Sequence, residues 1–164
     1  MQLASTDGAT FELSPIGYQF DASGTPGDWD ANWLIVRGQV RTASGRSWTF
    51  TDPSLTTWEA QELGRWLHSA AQGQIEATAQ PHEDDGSLLT FTEPNLAFSV
   101  AAVLGTQTLL RVHLSLEALP QDLPWTGRDG PALHEYSVPL TLERAQLRAA
   151  AAQWQDDLTP FPAR

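Results

Sequence analysis

Apolar and polar residues alternate with a period of two over much of the chain, the pattern of strands that turn one face toward a core. Residues 2–5 and 10–20 form the first such pair, separated by Thr6, Asp7 and Gly8, a turn that suits a hairpin. Pro15 and Gly17 interrupt the second segment, which is therefore expected to bend or to lie at a sheet edge. A stronger strand is predicted over 33–42. The turn Ala43-Ser44-Gly45-Arg46 then leads into 47–51, where Trp48 and Phe50 alternate with Ser47, Thr49 and Thr51. Further strands over 88–92, 96–103 and 108–117 read as an antiparallel meander, with a last strand at 136–140. Within 108–117, Leu110, Val112, Leu114 and Leu116 share one face, and Arg111, His113, Ser115 and Glu117 share the other.

Helical spacing occurs in two places. Thr56-Thr57-Trp58-Glu59 has the layout of a capping box, followed by Trp58, Leu63, Trp66, Leu67 and Ala70 on one side and Gly73 as a stop. A second helix is predicted over 141–158 from Leu147, Ala151, Trp154 and Leu158, ended by Pro160-Phe161-Pro162. The polar, Gly- and Pro-punctuated stretches 21–31, 79–86 and 119–134 read as connections, the last packed by Trp125. No repeat at a fixed period and no break in composition marks a second unit, so residues 1–164 read as a single domain. Strands dominate without a βαβ rhythm. The expected fold is α+β, an antiparallel β-sheet of about six to eight strands with one central and one C-terminal helix packed on it.

Composition narrows the chemistry. The 164 residues are 41% apolar and include 7 Trp, 6 Phe and 2 Tyr, enough for a core and incompatible with disorder of the whole chain. With no cysteine there is no disulfide, thiol nucleophile or Cys-ligated metal. Twenty acidic residues against nine arginines give a net charge of −11, a field that repels phosphate backbones and anionic membranes and favours basic partners. Neither nucleic acid nor a membrane is an expected partner. MQLASTDGAT has neither the basic nor the apolar region of a secretion signal, and no apolar run approaches the roughly 20 residues of a bilayer span, so a cytoplasmic location is expected. GxSxG, Walker A and GxGxxG motifs are absent.

Several residue groups could carry a function. Asp28 and Asp30, with Asp21 nearby, share a loop with Trp29, Asn32 and Trp33. Two carboxylates and an amide oxygen could hold a hard cation, but the spacing is not that of an EF-hand. A capped turn with Trp29 and Trp33 covering the core explains the same residues, and an acidic, aromatic surface for a protein partner is a third reading. FTDPSL at 50–55 and FTEPNL at 91–96 have one layout, expected to end or turn a strand. If those turns lie side by side, Asp52 and Glu93 form a carboxylate pair of the kind hydrolases use. None of His68, His82, His113 and His134 stands at helical metal-site spacing, although His113 could align with Glu117 along its strand.

GYQF, GDWDANWL, SWTFTDPSLTTWEAQEL followed by RWL, FTEPNLAF and RVHLSLE, in this order, resemble a bacterial family of small proteins named after the WapI immunity protein, over about residues 18–117. The resemblance implies a cytoplasmic protein, not an enzyme, that neutralises the C-terminal toxin domain of a cell-surface Rhs or wall-associated protein. That domain is a nuclease acting on RNA. No cofactor and no metal are implied. Asp28, Trp29, Asp30, Asn32, Trp33, Asp52, Glu93 and Asn95 are the candidate partner contacts. Two alternatives remain open. A small-ligand or carbohydrate binder would expose Trp29, Trp33 or Trp125 in a concave pocket, and a hydrolase would bring Asp52, Glu93 or His113 into one cleft.

Overall fold

The computed structural model describes residues 1–22, 25, 27–123 and 130–164. Strands β1 (Gln2–Ala4), β2 (Thr10–Tyr18), β3 (Trp33–Arg41) and β4 (Ser47–Thr56) pair antiparallel in chain order and lead into helix α1 (Thr57–Gln72). Strands β5 (Leu88–Thr90), β6 (Leu96–Leu104), β7 (Gln107–Leu114) and β8 (Ser137–Glu143) do the same before helix α2 (Arg144–Leu158). The α+β class, the antiparallel pairing and the two helices agree with the sequence pattern. The eight strands divide into two sheets of four, so a meander followed by a helix occurs twice without a sequence repeat to announce it.

Both helices begin where a strand ends. Thr56, the last residue of β4, accepts a bond from Glu59 N on its hydroxyl, while the Glu59 carboxylate accepts one from Thr56 N at 2.7 Å. Glu143, the last residue of β8, makes the same reciprocal box with Gln146. These boxes satisfy amides that the first helical turn leaves free. The second helix starts later than its periodicity predicted, because Thr141, Leu142 and Glu143 still pair with β7. Gly73 closes α1 at φ +73°, a left-handed conformation that glycine adopts without a Cβ clash.

Other boundaries moved for identifiable reasons. β2 bulges between Pro15 and Gly17, beyond the residues that pair with β1, so the proline sits where one side of the strand has no neighbour. β4 does not turn at FTDPSL but continues through Asp52 and Pro53, which its position at a sheet edge allows. β7 ends at Leu114, and Leu116 takes φ +50° in a short 3-10 turn over Leu116–Ala118. Glu117 therefore leaves the face of His113. Trp125 lies outside the described residues.

The core joins both sheets and both helices. Phe11 of β2 meets Phe98 of β6 edge to face at 6.0 Å, and Thr6 N donates to Thr141 O at 3.2 Å. Trp154 of α2 is fully buried against α1, where its indole N–H donates to Ala60 O at 2.7 Å. One turn further on, a Cβ on Gly64 would stand 3.3 Å from Trp154 Cδ1. Small residues at 60 and 64, four apart on one helical face, make room for the indole.

Candidate partner-binding site

Asp52 on β4, Glu93 in the turn before β6 and Glu117 in the 3-10 turn after β7 meet where the two sheets adjoin. Asn95, fully buried, builds this junction. Its amide nitrogen donates to Asp52 Oδ2 at 3.0 Å and to Ser54 Oγ at 2.9 Å. Its backbone carbonyl accepts from Ser115 N at 2.9 Å, two residues before Glu117. Burial, and then the Glu117 charge, pushes the Asp52 carboxyl up from its ordinary range. Burial pushes Glu93 up as well, with further contributions from Asp52 and Glu117. Among the described residues no Arg or His forms an ion pair with any of these carboxylates. The pairing of Asp52 and Glu93 was conditional on two turns lying side by side; only the second motif is a turn, yet Asp52 stands near enough for its charge to act on Glu93.

The loop after Gly27 approaches the same junction. Asp28 Oδ1 accepts from Asp30 N at 3.1 Å, a local turn that leaves Asp30 exposed. Trp29 is 51% exposed and lies over Trp58 with ring centres 5.4 Å apart. Trp33, half-buried, opens β3 opposite Thr56. Glu59 completes the link: besides capping α1 it accepts from Thr92 N at 2.7 Å, so contacts run from Trp29 through Trp58 and Glu59 to the turn carrying Glu93. Asn32 is fully buried, and its oxygen accepts from Thr57 Oγ1 and Arg164 N while its nitrogen donates to Asp28 O and Arg164 O. Asn32 and Asn95 thus position the surface from behind. With its oxygen occupied, Asn32 offers nothing to a cation, and among the described residues no three His, Asp or Glu group as metal ligands.

The alternatives meet the structure unevenly. His113 is buried and does not join Asp52 and Glu93. Its Nδ1–H donates to His134 O at 2.6 Å, its Nε2 accepts from Ser99 Oγ at 2.9 Å, and burial holds its proton affinity below the ordinary value. Among the described residues, neither Trp29 nor Trp33 lines the cavities over Arg111, beside Gly64, along Thr49 or beside Asp122. Glu117 and Glu59 were missed as parts of this junction. Strict alternation placed Glu117 with His113, and Glu59 was legible as a cap but not as a bridge between sheets.

The carboxylate group should cost stability. A carboxyl whose proton affinity is higher folded than unfolded destabilises the fold once ionised, so the penalty is absent below the unfolded value and complete above the folded one. Asp52→Asn and Glu93→Gln are therefore expected to raise the melting temperature at pH 7, with the gain shrinking as pH falls toward about 4. Melting curves of both variants at several pH values check this.

No helix is long and apolar enough to cross a membrane among the described residues. None of the curated proteins compared matches the chain. The family comparison agrees with an immunity-protein role over a longer stretch than the quoted motifs: the chain belongs to the Immunity protein WapI-like family, whose family model matches residues 2–162.

Proposed function

We propose that this chain, acting as one domain in the cytoplasm, binds and neutralises a cognate nuclease toxin domain, with no cofactor and no catalysis of its own. The observation that supports this reading most is the meeting of Asp52, Glu93 and Glu117 without a cationic partner among the described residues. A nuclease that cuts RNA must present cationic side chains to phosphates. An acidic surface speeds its capture and occupies the groups that would hold the substrate. Asp28, Trp29, Asp30, Trp33, Asp52 and Glu93 form the proposed contact surface, and Trp29 supplies the large exposed aromatic group that commonly anchors an interface.

The test is the association of the purified chain with any toxin domain found encoded beside its gene. A complex at micromolar concentration is expected. Asp28→Asn with Asp30→Asn should slow association more at low salt than at high salt, because added ions screen exposed charges. Equal slowing at both ionic strengths would remove these two residues from the surface, and no complex at all would end the proposal for that toxin.

A further inference from the structure

A cavity of about 560 Å³ lies away from the carboxylate junction, on the outer face of the second sheet. Because Leu110, Val112 and Leu114 point into the core, the intervening Arg111 and His113 point outward and form its floor. One wall is the connection carrying His82, Glu83 and Asp84, and the other carries His134 and Glu135. The volume is that of a small-molecule site.

The charges in it are sorted. Arg111 donates one N–H to Thr78 O at 3.0 Å and, like every described arginine except Arg46, has no carboxylate within ion-pair distance among the described residues. Its remaining N–H groups form a planar fork suited to a carboxylate. Glu83, Asp84 and Glu135, by contrast, offer only acceptors. His134 lies between these sets under strain: its φ is +64°, its backbone N–H is held by Ser115 Oγ at 2.8 Å, and its carbonyl by the His113 ring. The side chain is only 10% exposed, Nε2 stands 3.4 Å from Glu83 Oε1, and Nδ1 has no hydrogen-bond partner. Left-handed backbone at a non-glycine residue and an orphaned ring nitrogen, both on a cavity wall, are features that collect at binding sites. Burial holds the His134 imidazole below its ordinary proton affinity despite Glu83, so at neutral pH it does not cancel the acidic wall.

We propose that this cavity binds a short peptide by its two free ends, with its carboxylate on Arg111 and its ammonium against Glu83, Asp84 and Glu135. Both charges of such a molecule find an opposite in the cavity. A simple anion would leave the acidic wall unanswered, and a simple cation would leave Arg111 unanswered. This site is separate from the proposed toxin-binding surface and stands or falls without it.

The experiment uses the isotope-labelled wild-type chain and four probes: the dipeptide Ala-Leu, its N-acetyl form, its C-terminal amide and inorganic phosphate. Binding is followed by the side-chain nitrogen signals of Arg111 and His134. Ala-Leu should shift both, and blocking either end should weaken binding by about tenfold or more, the loss expected for one charged contact. Arg111→Lys should weaken Ala-Leu and its N-acetyl form, which both keep the carboxylate, while leaving the C-terminal amide less changed. No shift with Ala-Leu at about 10 mM, weaker than any useful affinity, would overturn the proposal. Blocked peptides binding as well as the free one, or phosphate binding as well as Ala-Leu, would do the same.

Discussion

Replacement of Trp154 by alanine should lower the stability of the fold by about 3–5 kcal/mol, the usual cost of emptying a large aromatic site in a core. The site is shaped for this ring. Trp154 has no exposed surface, Ala60 accepts its indole N–H at 2.7 Å, and Gly64 passes 3.3 Å from Cδ1 measured from an added Cβ. Helices packed this closely around one indole cannot collapse into the space without moving the sheets they cover. For a chain of this length the loss corresponds to a fall in Tm of about 6–20 °C. Trp154→Phe keeps most of the packing but gives up the hydrogen bond, and should fall between wild type and alanine. Thermal melts of the three proteins decide the matter, and an alanine variant within about 3 °C of wild type would show that the helix pair is not seated by this residue.

Asn32→Asp is the second large effect, again about 3–5 kcal/mol, because it buries a charge with no compensating partner. Each atom of the Asn32 amide is committed: two bonds are donated to the carbonyls of Asp28 and Arg164, and two are accepted from Thr57 Oγ1 and Arg164 N. A carboxylate would turn the donating side into an acceptor facing two other acceptors. The segment around Arg164 should then loosen, although Tyr18 still donates to Pro162 O and packs on Phe161 at 5.7 Å. Burial raises the new carboxyl, so the deficit should be complete above its folded proton affinity and should shrink below about pH 4 as the group becomes neutral, leaving the loss of one hydrogen bond because the neutral carboxyl donates once where the amide donates twice. Melting curves of the variant between neutral and acidic pH, with C-terminal proteolysis as a second readout, test this. A deficit independent of pH would contradict it.

Asn32 also shows where sequence reading stopped. As an amide between Asp30 and Trp33 it looked like part of an exposed acidic loop, and its burial depends on residues 57 and 164, which no local pattern brings near. Strands, the first helix's cap and the Gly73 stop were legible because they depend on neighbours a few residues apart, as in the Thr56–Glu59 box; the Glu143–Gln146 box was not read, because the second helix was expected to start at Thr141. The division into two sheets was not, since period-two alternation is the same whether a strand joins one sheet or another. The carboxylate group was half legible. FTDPSL and FTEPNL pointed to Asp52 and Glu93, but Glu117 reaches them only because β7 stops at Leu114 and the chain turns at Leu116 with positive φ. The cavity over Arg111 and His113 was foreshadowed only by their shared strand face, because its walls come from connections with no periodicity.

The most direct measurement is growth of bacteria producing a toxin domain found encoded beside this chain's gene, with and without this chain. Wild type should restore growth and copurify with the toxin domain. The combined Asp52→Asn, Glu93→Gln and Glu117→Gln variant, folded and at least as heat-stable, should rescue poorly. Persistent growth arrest beside abundant folded wild-type protein, with no complex recovered, would contradict the account.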